Sequence, residues 1–266
     1  LVGADEPNNR VELRYHSPAE RTERLSGGVS GWPLDELLDR ADGCDALLVN
    51  YISGYETTRA VASELRAAFA GPMFGDLHSL FLGENAEGTR TPRRLLDWPA
   101  WAACFDVVQM NEDEFARCGP SHGTSTEPDR DPLDGLDRSR DAPRLVCVTL
   151  AERGVDLYGA LRSDGDPLDR IRSGRAPGPS GQTAFRNVTL DDLPIGADPT
   201  GCGDVWGAVM FSRLLAGDPV ARAASAANRL AALNASESGV TAFAVRVRSS
   251  LDSTVEEAGD SNGPRA

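Results

Sequence analysis

The chain has 266 residues, 40% of them hydrophobic, enough for one sizeable α/β domain, and aliphatic runs recur along most of its length. A formal net charge of −14 argues against nucleic acid or an anionic membrane as partner, because counterion release at phosphates needs clustered cations. Lysine does not occur, so all 27 basic residues are arginine, which excludes a Walker-A loop, a protein-kinase ATP lysine and any Schiff-base mechanism.

The first residue is Leu1 and no start signal precedes it, so a fragment or a trimmed chain is expected. No apolar run approaches the roughly 20 residues that span a bilayer, and the N-terminus lacks a basic segment followed by an apolar one. The expectation is a soluble, cytoplasmic protein. Residues 10–15 alternate in the manner of an exposed strand, with Val11, Leu13 and Tyr15 on one face, as in a lid or an edge hairpin. Short apolar runs over residues 46–50, 72–75, 104–110 and 145–150 read as buried strands. Between them, residues 57–70 and 91–103 suit helices. Strands alternating with helices imply a mainly parallel sheet covered on both faces, a three-layer α/β/α sandwich.

Two stretches break the rhythm. Residues 119–143, rich in Gly, Pro, Ser and Thr, read as a long exposed loop or disordered insertion, and residues 172–182 as a second loop. An alanine-rich helix is expected over residues 220–234, and the polar tail from about residue 249 is expected to fray. Cys44, Cys104, Cys118, Cys147 and Cys202 are scattered, never spaced Cys-x-x-Cys, and read as reduced thiols. His78 has no second histidine at helical or hairpin spacing, so it is not read as a metal ligand.

The chemistry concentrates in Asp198-Pro199-Thr200-Gly201-Cys202-Gly203-Asp204, followed by residues at helical spacing. Gly201 and Gly203 allow a tight turn, and a glycine turn that opens a helix presents free N–H groups and the positive end of the dipole to an anion. Asp204 falls in the first helical turn. A carboxylate there complements the dipole in its plainest role, and it would repel a bound pyrophosphate. An attacking hydroxyl, in contrast, needs a carboxylate to accept its proton. The arrangement therefore points to phosphoryl transfer.

This segment resembles the C-terminal signature D-T-x-G-A-G-D of the PfkB/ribokinase family of carbohydrate kinases. The resemblance implies a ribokinase-like fold, with Asp204 as catalytic base and the amides of Gly201, Cys202 and Gly203 as the anion hole; Cys202 stands where alanine is usual. Asn111 and Glu114 in Asn-x-x-Glu resemble the motif that orders magnesium and the ATP phosphates through water. Thr149 and Gly154 fall in a segment similar to T-L-G-x-x-G beside the nucleotide, with Ala151 replacing the first glycine, and Asn228 lies where related kinases approach adenine. Asp198 and Thr200 occupy positions whose carbonyls hold a monovalent cation, potassium, in the family. Asp76 and Asn50 are the acceptor-side candidates. ATP and magnesium are the implied cofactors, a small sugar-like molecule the acceptor, and a homodimer is compatible.

Resemblance runs from about residue 46 to 240. Residues 1–30 are read as the remnant of an N-terminal lid or edge region, 31–248 as the kinase domain and 249–266 as a flexible tail. The family's first strand, its Gly-Gly motif and most of its lid are expected to be missing, Gly27-Gly28 being too close to the next strand. The alternatives are a non-catalytic or degenerate kinase fragment, a nucleoside kinase and a dinucleotide-binding oxidoreductase. The last is disfavoured because Trp206 stands where its fingerprint wants glycine or alanine.

Overall fold

Apolar runs of four or five residues bounded by turn formers become the strands of a central sheet: β3 (Leu47–Asn50), β4 (Met73–Asp76), β7 (Val107–Asn111) and β8 (Leu145–Thr149), all mutually parallel. The computed structural model describes residues 7–17, 20–118, 143–159, 184–189, 199–236 and 244. The loop expected at 172–182, the tail from 249, Asp198 and all but Pro143 of the 119–143 loop lie outside these residues. An antiparallel meander of β9 (Val155–Gly159) and β10 (Ala184–Val188) completes a six-stranded sheet of order β10-β9-β8-β7-β4-β3.

Successive side chains in a strand point to opposite faces, so each run feeds two cores. Met73, Val108, Met110, Val146 and Val148 pack on one side against α1 (Leu34–Ala41), α2 (Arg59–Ala68) and α3 (Trp98–Ala102). Phe74, Val107, Leu145, Cys147 and Leu157 pack on the other against α5 (Cys202–Leu215) and α6 (Val220–Ser236). Ala223, Ala224 and Ala227, all fully buried, let α6 lie close on α5. The result is the three-layer α/β/α sandwich read from the sequence. Among the described residues no helix is long and apolar enough to cross a membrane.

The N-terminal alternation forms β1 (Arg10–Ser17), which pairs with β2 (Glu20–Ser26). A second, four-stranded antiparallel sheet of order β1-β2-β6-β5 is completed by β5 (Leu82–Glu84) and β6 (Thr89–Pro92). The helix expected over residues 91–103 is therefore corrected. Its first residues are strand, since Pro92 holds Thr91 extended, and only α3 is helical, where Pro99 sits in a first turn that needs no amide donor. The strand expected over 104–110 starts later, because the amides of Cys104 and Phe105 close turns onto Trp101 and Ala102.

Arg90 of β6 ties this sheet to the body. It pairs with Glu23 of β2 at 2.9 Å and donates to the carbonyls of Ile52 at 3.1 Å and Ser53 at 3.0 Å, with both charged side chains buried.

Candidate active site

Four polar residues occupy the last positions of the parallel strands: Asn50 on β3, Asp76 on β4, Asn111 on β7 and Thr149 on β8, with Asn50 opposite Asp76 and Asn111 opposite Thr149. Ligands of open parallel sheets bind outside these carboxyl ends. There a cleft of about 650 Å³ opens, roofed by Val11, Leu13 and Glu23 of the small sheet and walled by the start of α5. It gathers every described site residue that the sequence predicts.

Gly201 begins α5 in the left-handed region, φ 78°, where a side chain would be strained. Val205 donates to the Gly201 carbonyl at 3.0 Å, and the Cys202 amide turns inward onto the Pro199 carbonyl at 3.1 Å. Among the described residues the Gly203 and Asp204 amides carry no acceptor. Asp204, the third residue of α5, is exposed in the cleft, and its Oδ1 accepts from Asn50 Nδ2 at 2.5 Å. The Cys202 thiol faces α6, donating to the Ala231 carbonyl at 3.3 Å.

The helix tip is held from below. Gln109 Nε2 donates to the Gly203 carbonyl at 3.0 Å, and Gly207 lies so near that a Cβ there would stand 2.5 Å from Gln109 Oε1. Trp206 Nε1 donates to Asn228 Oδ1 at 2.7 Å, so Asn228, a predicted adenine neighbour, also joins α5 to α6. Asn234 Nδ2 donates to the Thr200 carbonyl at 3.1 Å.

Asn111 caps the short helix α4 (Glu112–Phe115) in a capping box: the Glu114 amide donates to Asn111 Oδ1 at 2.9 Å and the Asn111 amide to Glu114 Oε2 at 2.8 Å. Glu114 Oε1 accepts from Asn111 Nδ2 at 2.7 Å and from His78 Nδ1 at 2.5 Å. With three protein donors on one carboxylate, Glu114 does not suit direct metal ligation. Consistently, no group of three or more His, Cys, Asp or Glu among the described residues could hold a metal ion. The pair suits ordering water around a cation.

Burial works against the charged form of His78, but the hydrogen bond and charge of Glu114, with Asp76, outweigh it and raise its pKa. Asp76 is 8% exposed, and burial pushes its carboxyl up to about 7, the His78 charge and amide opposing, Glu114 and Asp204 adding. The sequence reading set His78 aside as a ligand; its place beside Glu114 is visible only in three dimensions.

On the β8 side, Thr149 Oγ1 lies 3.5 Å from the Met110 carbonyl it donates to. The following turn holds Ala151 at φ 51° and Gly154 at φ 88°, ψ −128°. The alanine that replaces the expected glycine therefore adopts the left-handed conformation that glycine adopts without strain.

No family model matches the chain, and no curated protein matches it. Solved structures do. A pyrophosphate-dependent kinase in the ribokinase family, in its sulfate complex, superposes with TM-score 0.60 at 15% identity over 87% of this chain and 70% of that one. Arabidopsis thaliana ribokinase complexed with ribose and ATP gives 0.60 at 15% over 89% and 65%. A Burkholderia thailandensis nucleoside kinase in complex with inosine gives 0.55 at 15% over 88% and 63%. The fold is thus ribokinase-like, and the chain spans about two thirds of the length of these relatives.

Proposed function

We propose that this ribokinase-like chain is a phosphotransferase that moves the γ-phosphate of ATP to a hydroxyl of a sugar or related small molecule, with Asp204 as the base. One observation carries the reading: a carboxylate in the first turn of α5, beside helix amides that meet no acceptor among the described residues, at the open end of a parallel sheet. The acceptor O–H loses its proton to Asp204, the new O–P bond forms, and the donor's bridging P–O bond breaks to release ADP. Asn50, bonded to Asp204 Oδ1, orients the base.

The transferring group lies against the amides of Gly201, Gly203 and Asp204. Cys202 contributes little through its amide, which already donates to Pro199. Asn111 and Glu114 would hold magnesium through water, and that ion would supply charge neutralisation on the phosphates, the task of lysine in lysine-bearing sites. Thr149, Gly154 and Asn228 line the cleft and would face the donor, and the carbonyl of Thr200 would serve a monovalent cation.

Similarity to a pyrophosphate-dependent kinase, equal in TM-score to that with an ATP-bound ribokinase, raises a second donor: pyrophosphate in place of ATP, its repulsion by Asp204 offset by the magnesium that Asn111 and Glu114 would hold. The deciding experiment incubates the chain with each donor and a panel of sugars, sugar phosphates and nucleosides, and follows phosphorylated product. Asp204→Asn should lower kcat by about 10²–10⁴. Full turnover by that variant would remove Asp204 from the mechanism, and a chain that phosphorylates nothing with either donor favours the non-catalytic alternative.

A further inference from the structure

The small sheet also covers a second cavity. Glu23, Arg90 and Glu84 stand in one row across β2, β6 and β5, with the buried Arg90 in the middle. Glu23 lines the cleft; Glu84, with Leu25, lines a cavity of about 740 Å³ that shares no lining residue with the cleft. Trp32, Tyr55, Leu80 and Trp101 supply apolar wall to it. Its volume is that of a small-molecule site.

Two opposite charges line this space and form no ion pair with each other. Arg93 is tethered by its Nε, which donates to the Leu80 carbonyl at 3.0 Å, and its two terminal nitrogens have no partner among the described residues. Glu84 accepts from the Tyr55 hydroxyl through Oε2 at 3.1 Å, and its other oxygen has no hydrogen-bond partner among the described residues. Partial burial raises the pKa of that hydroxyl, Glu84 adding to the rise and Arg90 and Arg93 opposing it, so both lining charges are felt at one group. Trp101 is 7% exposed, and its indole N–H meets no acceptor among the described residues.

A guanidinium fork matches a carboxylate with two parallel hydrogen bonds, and a carboxylate oxygen matches an ammonium. A ligand with one charge leaves the other group unmatched, whereas a small zwitterion satisfies both. We propose that this cavity binds a free α-amino acid with an apolar side chain, its carboxylate on Arg93, its ammonium on Glu84 and its side chain against Leu25, Leu80 and Trp101. The site stands apart from the phosphotransfer reading, since no residue of the cleft lines it.

Isothermal titration calorimetry on the full chain, without a phosphate donor, compares leucine with isocaproate and isoamylamine, and phenylalanine with hydrocinnamate and phenethylamine. Each analogue keeps the side chain and lacks one charge. Leucine or phenylalanine should bind at a single site per chain, and its analogues about tenfold more weakly, the contribution of one hydrogen bond to a charged group. Glu84→Gln keeps an acceptor for the Tyr55 hydroxyl; it should weaken the amino acid about tenfold and spare the deaminated acid. Arg93→Gln should weaken the amino acid and spare the amine, and the analogue that each variant spares reports an intact fold. Asp204→Asn, altered only in the cleft, should bind as the wild type does. Binding of neither amino acid, an analogue as tight as its parent, or wild-type affinity in both Glu84→Gln and Arg93→Gln overturns the proposal. Loss of binding in Asp204→Asn places the amino acid in the cleft and overturns it as well.

Discussion

At the scale of single residues the cleft holds groups whose conformation or protonation is costly on its own. Asp76 is more protonated in the folded chain than in the unfolded one between its ordinary value of 3.8 and about 7. A raised carboxyl stabilises the fold fully below the unfolded value, and that contribution is lost as pH rises through the folded one. Asp76→Asn is neutral at every pH, so its melting temperature should match that of the wild type near pH 4 and exceed it increasingly up to pH 8. A constant offset across that range would show that burial does not govern this carboxyl.

Gly154 and Ala151 make a contrasting pair in the turn after β8. Gly154, at φ 88° and ψ −128°, occupies backbone space that side chains avoid, so Gly154→Ala should cost about 1–3 kcal/mol in urea unfolding. Ala151→Gly relieves left-handed strain but frees the unfolded chain, and the two effects, each about 1 kcal/mol, should nearly cancel. A large loss at position 151 would mean that its methyl group makes a contact that outweighs the strain.

At the scale of elements, α5 sets the position of Asp204, and β7 sets the position of α5. Gly207 permits the approach: a Cβ there would meet Gln109 Oε1 at 2.5 Å and Phe74 at 3.3 Å. Gly207→Ala should therefore destabilise by about 1–3 kcal/mol and lower kcat together, since the helix must lift from the sheet. Adding Gln109→Ser to that variant should recover part of the stability. No recovery would place the clash on Phe74. The strand segments were readable because each is a local apolar run, and α2 because its stretch is amphipathic; the cap at Thr58, which accepts from the Val61 amide at 3.2 Å, adds to it in the structure. β6 was not readable as strand: its partners Glu23 and Arg24 lie far upstream, its nearer partner β5 is only three residues long, and local composition alone resembled a helix.

At the scale of the whole molecule, two sheets enclose the cleft, and Arg90 braces one against the other. Replacing it with methionine breaks the buried pair with Glu23 and takes the donor from three carbonyls, those of Ile52, Ser53 and Ser79, which should cost about 3–5 kcal/mol in chemical denaturation. A loss below about 1 kcal/mol would mean the small sheet is not held there.

Local order in the chain settled a good deal of this protein. The turn at Gly201 and Gly203, the acid at 204, the alternation of strand and helix, and the absence of lysine depend only on neighbours a few residues apart, because backbone freedom and side-chain period are local properties. The tertiary structure alone decided which of those residues meet. Asn50 reaches Asp204 across 154 positions, His78 reaches Glu114 across 36, and Arg90 finds Glu23 on another strand. Contacts of such separation form when apolar faces pack and leave no periodic trace in the sequence, which is why these pairings became visible only in the fold.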